Sequence, residues 1–201
     1  MTSDAYNQSF HLANDHVNNG RHDEALAIFE KLVAGDADAF TKTMACVNLA
    51  IVHDKNGQID QALKAYDRGI QLDRMLGRFF VAQHKANYCI EKARHAEALA
   101  ALGALVESSI SEMDKANACL SAATVCEILG QVDKALEWYD RGIKYEYTHH
   151  RFNVAEHKAW YLSSKGRTQE SLKLYERLVR EASMTEADKE RLRNNISLLS
   201  K

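Results

Sequence analysis

The feature that most narrows the folds open to this 201-residue chain is an internal repeat. Gly20-Arg-His-Asp-Glu-Ala25-Leu26-Ala-Ile-Phe29 returns as Gly57-Gln-Ile-Asp-Gln-Ala62-Leu63-Lys-Ala-Tyr66 and as Gly130-Gln-Val-Asp-Lys-Ala135-Leu136-Glu-Trp-Tyr139. A looser copy is Gly166-Arg-Thr-Gln-Glu-Ser171-Leu172-Lys-Leu-Tyr175, and Ala93-Arg-His-Ala-Glu-Ala98-Leu99-Ala-Ala-Leu102 fills the gap, so the anchors at 20, 57, 93, 130 and 166 are spaced 37, 36, 37 and 36. A unit of this length is one supersecondary element that buries its apolar face against the next copy.

Each period holds two helices. Upstream of the anchors, Leu12, Ala13, His16; Cys46, Leu49, Ala50, His53; Ala82, Ala86, Cys89; Cys119, Ala122, Ala123, Cys126; and Ala155, Ala159, Leu162 have the spacing of one helical face. Downstream, Ala25, Leu26, Phe29, Leu32, Val33 and their counterparts make a second stripe. Glycine at the anchor suits the left-handed residue that ends a helix, and Asp or Glu soon after it complements the next helix's N-terminal dipole. The turn is therefore short and the helices antiparallel. Alanine at 13, 50, 86, 123 and 159 opposes Ala or Ser at 25, 62, 98, 135 and 171, which permits close axial approach. Gly69 and Gly142, inside second helices, cost about 1 kcal/mol each in propensity and are expected to give clearance to the next repeat. The four cysteines fall on the packed face and are expected to be buried core residues.

This pattern resembles the tetratricopeptide repeat (TPR) family over roughly residues 3 to 182, in the glycine turn, the small pair and the aromatic that follows. The period exceeds the family's usual 34, and the proline that commonly closes such a repeat is absent. The resemblance implies an all-α, α-α superhelix: a TPR-like solenoid of five helical hairpins whose first helices line a concave groove. The repeats are expected at about 3–35, 39–72, 75–108, 112–145 and 149–182, within a single domain spanning 1–201. Thr185-Glu-Ala-Asp188 and an apolar stripe of Leu192, Ile196 and Leu199 read as a capping helix over 185–200.

A longer period runs through the shorter one. Arg78 to Tyr88 matches Arg151 to Tyr161 at eight of eleven positions, and Gly57 to Ile70 matches Gly130 to Ile143 at ten of fourteen, both at a separation of 73. His11, His84 and His157 recur in this frame, with Asn14, Asn87 and Trp160 three residues later. Fold maintenance does not obviously require them, so they are candidate ligand contacts in the groove, weighed against duplication that has not diverged. Asn48, Ile51, Ser121 and Thr124 hold the neighbouring positions of the intervening repeats.

The chemistry of an enzyme is not signalled: the chain contains no Gly-rich phosphate loop, no GxSxG and no HExxH. Zinc would need converging ligands that the cysteine spacing does not supply, so neither metal nor cofactor is expected. With 26 Lys+Arg against 28 Asp+Glu, nothing draws the chain to nucleic acid or an anionic membrane, and the basic stretch Arg141, Lys144, His149, His150, Arg151 is interrupted by acids. His22-Asp23-Glu24 and His149-His150 read as solvated hairpin edges. The positions that a chaperone-tail-binding subset of the family uses as a cationic clamp fall on Phe10, Asn14, Asn48, Phe80 and His84, which lack the cations. The reading is a cytoplasmic, non-catalytic scaffold that binds a protein or peptide partner in its groove. The alternative is an adaptor or homo-oligomer that uses convex or terminal surfaces; a small-molecule sensor is a third reading.

Overall fold

A computed structural model describes residues 3–76, 80–147, 152–181 and 183–200. Among the described residues lie eleven α-helices and no strand: α1 (Ser3–Asn18), α2 (His22–Ala34), α3 (Ala39–Lys55), α4 (Ile59–Met75), α5 (Phe80–Glu91), α6 (His95–Val106), α7 (Glu112–Ile128), α8 (Val132–Glu146), α9 (Asn153–Ser164), α10 (Thr168–Val179) and α11 (Glu186–Leu199). The chain divides into two compact units, residues 1–97 and 98–201.

The repeat anchors end the first helix of each period as the sequence predicts. Gly20, Gly57, Gly130 and Gly166 have φ of 70, 70, 68 and 73°. At Gly57 the chain closes with the paired bonds of a Schellman turn, Gly57 N–H to the Asp54 carbonyl and Gln58 N–H to the His53 carbonyl, each 2.8 Å. Ala93 makes the same turn at φ 55°, a conformation that costs a side-chain-bearing residue roughly 1–2 kcal/mol.

In the first unit, α1 packs on α2, α3 on α4, and α4 on α5. Ala13, Ala25, Ala50 and Ala62 are fully buried, so small residues do meet across the hairpins. Gly69 in α4 serves two neighbours at once: a Cβ there would lie 3.0 Å from Cys46 Cβ in α3 and 3.1 Å from Val81 Cγ1 in α5. Leu12, placed by periodicity on the packed face, is instead 51% exposed, because Ala13 is the residue directed at α2 and its neighbour is turned about 100° away.

The second unit repeats these devices. α7 packs on α8, α9 on α10 and α11 on α10. A Cβ on Gly142 would lie 2.9 Å from Val154 Cγ1 and 3.0 Å from Cys119 Cβ. One apolar cluster gathers Ala116, Ala123, Cys126, Ala135, Tyr139, Val154 and Tyr161. Another gathers Phe152, Ala155, Ala159, Tyr175, Leu178 and Met184 around the fully buried Leu192, so α11 covers the last hairpin as its single apolar stripe requires.

The 73-residue period has a physical content that sequence reading missed: the helices opening successive hairpins start in two ways. α3 and α7 carry local caps, with Asp38 accepting from the Thr41 N–H (3.0 Å) and Ser111 Oγ from the Asp114 N–H (3.1 Å). α5 and α9 are capped at a distance by buried carboxylates on the preceding helix. Asp73 accepts from the Val81 N–H (3.0 Å), and Glu146 accepts from those of Val154 (2.7 Å) and Ala155 (2.8 Å). Burial pushes the Glu146 carboxyl up to about 7, and the two N–H bonds pull against that rise. The same period recurs in the ion pairs Lys85–Asp67 and Lys158–Asp140, each 2.5 Å, and in the ring pairs Tyr66–Tyr88 and Tyr139–Tyr161.

Candidate functional site

Every first helix uses its buried alanine as a reference point, and the candidate residues lie two positions before it and one after it. In the first unit, His11, Ile51, His84 and Asn87 are exposed, while Asn14 and Asn48 are half-buried. In the second, Thr124, His157 and Trp160 are exposed and Ser121 is half-buried. None of the ten is a core residue. Some are engaged locally: Asn48 Nδ2 donates to the Met44 carbonyl (2.9 Å), Thr124 Oγ1 to that of Leu120 (3.1 Å), and Asn87 Oδ1 accepts from Gln83 (3.1 Å). The His84 ring lies 4.2 Å from that of Phe80.

The second unit gathers two of the candidates into a cleft of about 820 Å³. One wall is α9, with Asn153, Glu156, His157 and Trp160; the other is α11, with Asp188, Arg191 and Asn195; Phe152, Tyr175 and Met184 form the apolar floor. Arg191 ties the walls together, donating through both terminal nitrogens to the Glu156 carboxylate and at 3.2 Å to Asp188. Asp188 also accepts from the Thr185 hydroxyl (2.6 Å), and these bonds hold its carboxyl below the usual range. The charges of the cleft are thus largely satisfied within it. Trp160 remains 60% exposed.

Sequence reading assigned α11 only a covering role, yet it stands in register with α3 and α7. Its cap is made as theirs are, Thr185 Oγ1 accepting from the Asp188 N–H at 3.1 Å. Counting from the caps Asp38, Ser111 and Thr185, Asn195 falls where Asn48 and Ser121 stand, and Leu198 where Ile51 and Thr124 stand. The matching caps were the available signal. Where α3 and α7 carry buried Cys46 with Ala50 and Cys119 with Ala123, α11 carries Arg193 and Ser197, exposed side chains suited to a terminal helix.

His22, expected to be merely solvated, hydrogen-bonds Asn56 at the next hairpin's turn (2.5 Å). Arg141 pairs with Glu107 at 2.6 Å and stacks over the Trp138 ring at 4.8 Å. His149, His150 and Arg151 lie outside the described residues, as does Arg78. Cys46, Cys89, Cys119 and Cys126 are buried free thiols, with those of Cys46 and Cys119 pushed up to about 11 by burial. Among the described residues, no helix is long and apolar enough to cross a membrane.

Exposed charge is concentrated on α4 and α8 and sparse on the first helices beside them. The exposed surface of α4 includes Asp60, Lys64, Asp67, Arg68 and Arg74, and that of α8 includes Asp133, Lys134, Glu137, Asp140 and Lys144. On α3, α5, α7 and α9 the exposed charged residues, Lys55, Glu91, Glu112 and Asp114, sit in the first or last turns. The exposed residues between them are uncharged or histidine, including Ile51, His84, Asn87, Asn117, Thr124, His157 and Trp160.

Antiparallel helical hairpins with a shared glycine turn and a small-residue crossing define an all-α hairpin-repeat solenoid. Family models described as "Tetratricopeptide repeat" match two stretches of the chain, residues 10–31 and 45–74. No curated protein matches the sequence. Similar folds include MamA from Desulfovibrio magneticus RS-1, at 14% identity and TM-score 0.58 over 95% of this chain and 98% of that one. Nearly identical TPR-like repeats from Podosopora anserina are 17% identical with TM-score 0.55, over 86% of this chain and 92% of that one. Pseudomonas aeruginosa pilF is 14% identical with TM-score 0.55, over 98% and 89%.

Proposed function

We propose that this protein is a non-catalytic protein-interaction scaffold that binds a peptide segment along the outward faces of its first helices. The positions are His11, Asn14, Asn48, Ile51, His84 and Asn87 in one unit and Ser121, Thr124, His157 and Trp160 in the other. The observation that carries the reading is the charge distribution: these faces keep water-exposed side chains, and the charges between the helix ends, Lys85, Glu156 and Lys158 among them, are half-buried and ion-paired. Carboxamides, hydroxyls and imidazoles bond a peptide backbone without demanding a side-chain charge, and an exposed Trp beside an apolar-floored cleft is the kind of anchor that dominates binding energy. A reducing, cytoplasmic setting fits the four free thiols.

Selection of displayed peptides on the intact protein, followed by affinity measurement, tests this reading. Trp160→Ala is expected to weaken the selected peptides about thirtyfold, or about 2 kcal/mol, while Lys64→Ala on a second helix leaves them unchanged. Selected peptides that bind wild type and the Trp160→Ala, His157→Ala and His84→Ala variants equally would remove the first-helix faces from consideration.

A further inference from the structure

A second hollow in the second unit, about 490 Å³, lies among α8, α9 and α10, away from the first-helix stripe; Leu136, Leu162 and Leu174 contribute its apolar surface. Four cations and two carboxylates surround it. Lys158 pairs with Asp140 (2.5 Å) and Arg167 with Glu170 (2.6 Å), which leaves Lys173 and Arg177. Among the described residues neither has a carboxylate within ion-pair distance, and the Arg177 guanidinium sits over the Tyr147 ring at 4.9 Å.

The 73-residue period supplies an internal control. The residues 73 earlier than Lys158, Asp140, Arg167 and Glu170 are Lys85, Asp67, Arg94 and Glu97, and both ion pairs are made there too (2.5 Å each). Those pairs therefore belong to the repeat's architecture. The residues 73 earlier than Lys173, Leu174 and Arg177 are Ala100, Ala101 and Ala104. In the shorter repeat Lys173 and Arg177 hold the places of Lys64 and Arg68 in α4, where Arg68 pairs with Glu30 at 2.9 Å; α10 keeps both cations without such a pair among the described residues and carries Leu174 where α4 has Ala65.

We infer that the surface formed by Leu136, Leu174, Lys173 and Arg177 is a docking site for an acidic segment of a partner protein that carries an apolar anchor residue. The surplus of two positive charges selects carboxylates, and the leucines accept the anchor. Lys173 and Arg177 stand four residues apart on α10, about 6 Å along its axis, which matches alternate side chains of an extended strand at about 3.3 Å per residue. The complementary pattern is an apolar residue followed by acids at the next two alternate positions. Arg adds a planar fork that engages a carboxylate through two N–H groups.

Fluorescence anisotropy with the full chain and a labelled peptide bearing leucine, glutamate and glutamate at alternate positions tests the site. Saturable binding is expected, weakened by added salt, and lost at least tenfold when the glutamates become glutamine. The Lys173→Ala, Arg177→Ala double variant restores residues the earlier copy already carries, so it is expected to keep its helicity while losing at least tenfold in affinity; Leu174→Ala should also weaken binding. Trp160→Ala should leave this peptide unaffected, which separates the site from the first-helix faces. Three results would overturn the inference: no binding at millimolar peptide, equal binding by the double variant, or tighter capture of a single-stranded oligonucleotide than of the peptide.

Discussion

At the scale of single residues, the backbone turns and close approaches bear the strictest demands. Ala93 holds a left-handed conformation that glycine adopts freely in four other turns, so Ala93→Gly is expected to raise stability by about 0.5–1 kcal/mol, and Gly57→Ala to lower it by about 1 kcal/mol. Denaturant midpoints check both; an unchanged or lower midpoint for Ala93→Gly would contradict the strain argument. Gly142→Ala pushes a methyl against Val154 and Cys119 from opposite helices and should cost about 1–3 kcal/mol with the helix count unchanged. Glu146 is opposed by burial and favoured by two N–H bonds, and burial prevails. Because burial pushes its folded carboxyl up to about 7 from the ordinary 4.5 of the unfolded chain, the native state alone holds that proton between the two, and its stabilising contribution falls as pH rises through this window. The melting-temperature advantage of wild type over Glu146→Gln should therefore shrink from pH 5 to 7.5. An advantage that grows would mean that the helix-capping bonds to the ionised form outweigh desolvation.

At the scale of elements, α11 both seals the last hairpin and walls the cleft beside Trp160. Deleting residues 185–200 uncovers Tyr175, Leu178 and Phe152 and removes the Arg191–Glu156 bridge. The expected outcome is a lower melting temperature together with self-association, read by calorimetry and light scattering; a monomer with unchanged melting would show that the last hairpin is stable bare. The loss should come chiefly from Leu192, since the ion pairs of α11 are largely open to solvent and screened by it. Leu192→Ala alone is expected to cost about 2–5 kcal/mol.

At the scale of the molecule, each unit contains two fully buried thiols, Cys46 and Cys89 in one and Cys119 and Cys126 in the other. Thiol reagents should reach them only when the surrounding hairpins open, because burial excludes the reagent and disfavours the thiolate. Repeats stabilise one another through nearest neighbours, so removal of α11 should accelerate labelling of Cys119 and Cys126 more than that of Cys46 and Cys89. Site-resolved mass spectrometry reads this directly; uniform acceleration at all four would point to one cooperative unfolding unit.

The sequence by itself determined the hairpins, their glycine turns, the small crossing residues and the terminal helix. Each of these depends on residues at most about a dozen positions apart, whose chemistry is nearly independent of what lies beyond. The outward placement of the ten candidate residues was also legible, since one helical period relates them to the buried alanines, although the same period placed Leu12 on the wrong side of Ala13. Only the tertiary structure decided the roles of Asp73 and Glu146. A carboxylate in the last turn of a helix opposes that helix's own dipole and reads as a solvated surface charge. It becomes a buried cap because the following helix brings its N-terminal N–H groups to it, an arrangement no local pattern encodes. Likewise, only the docking of both α9 and α11 on α10 formed the cleft at Trp160, and only the ion pairs actually made among the neighbouring cations distinguished Lys173 and Arg177.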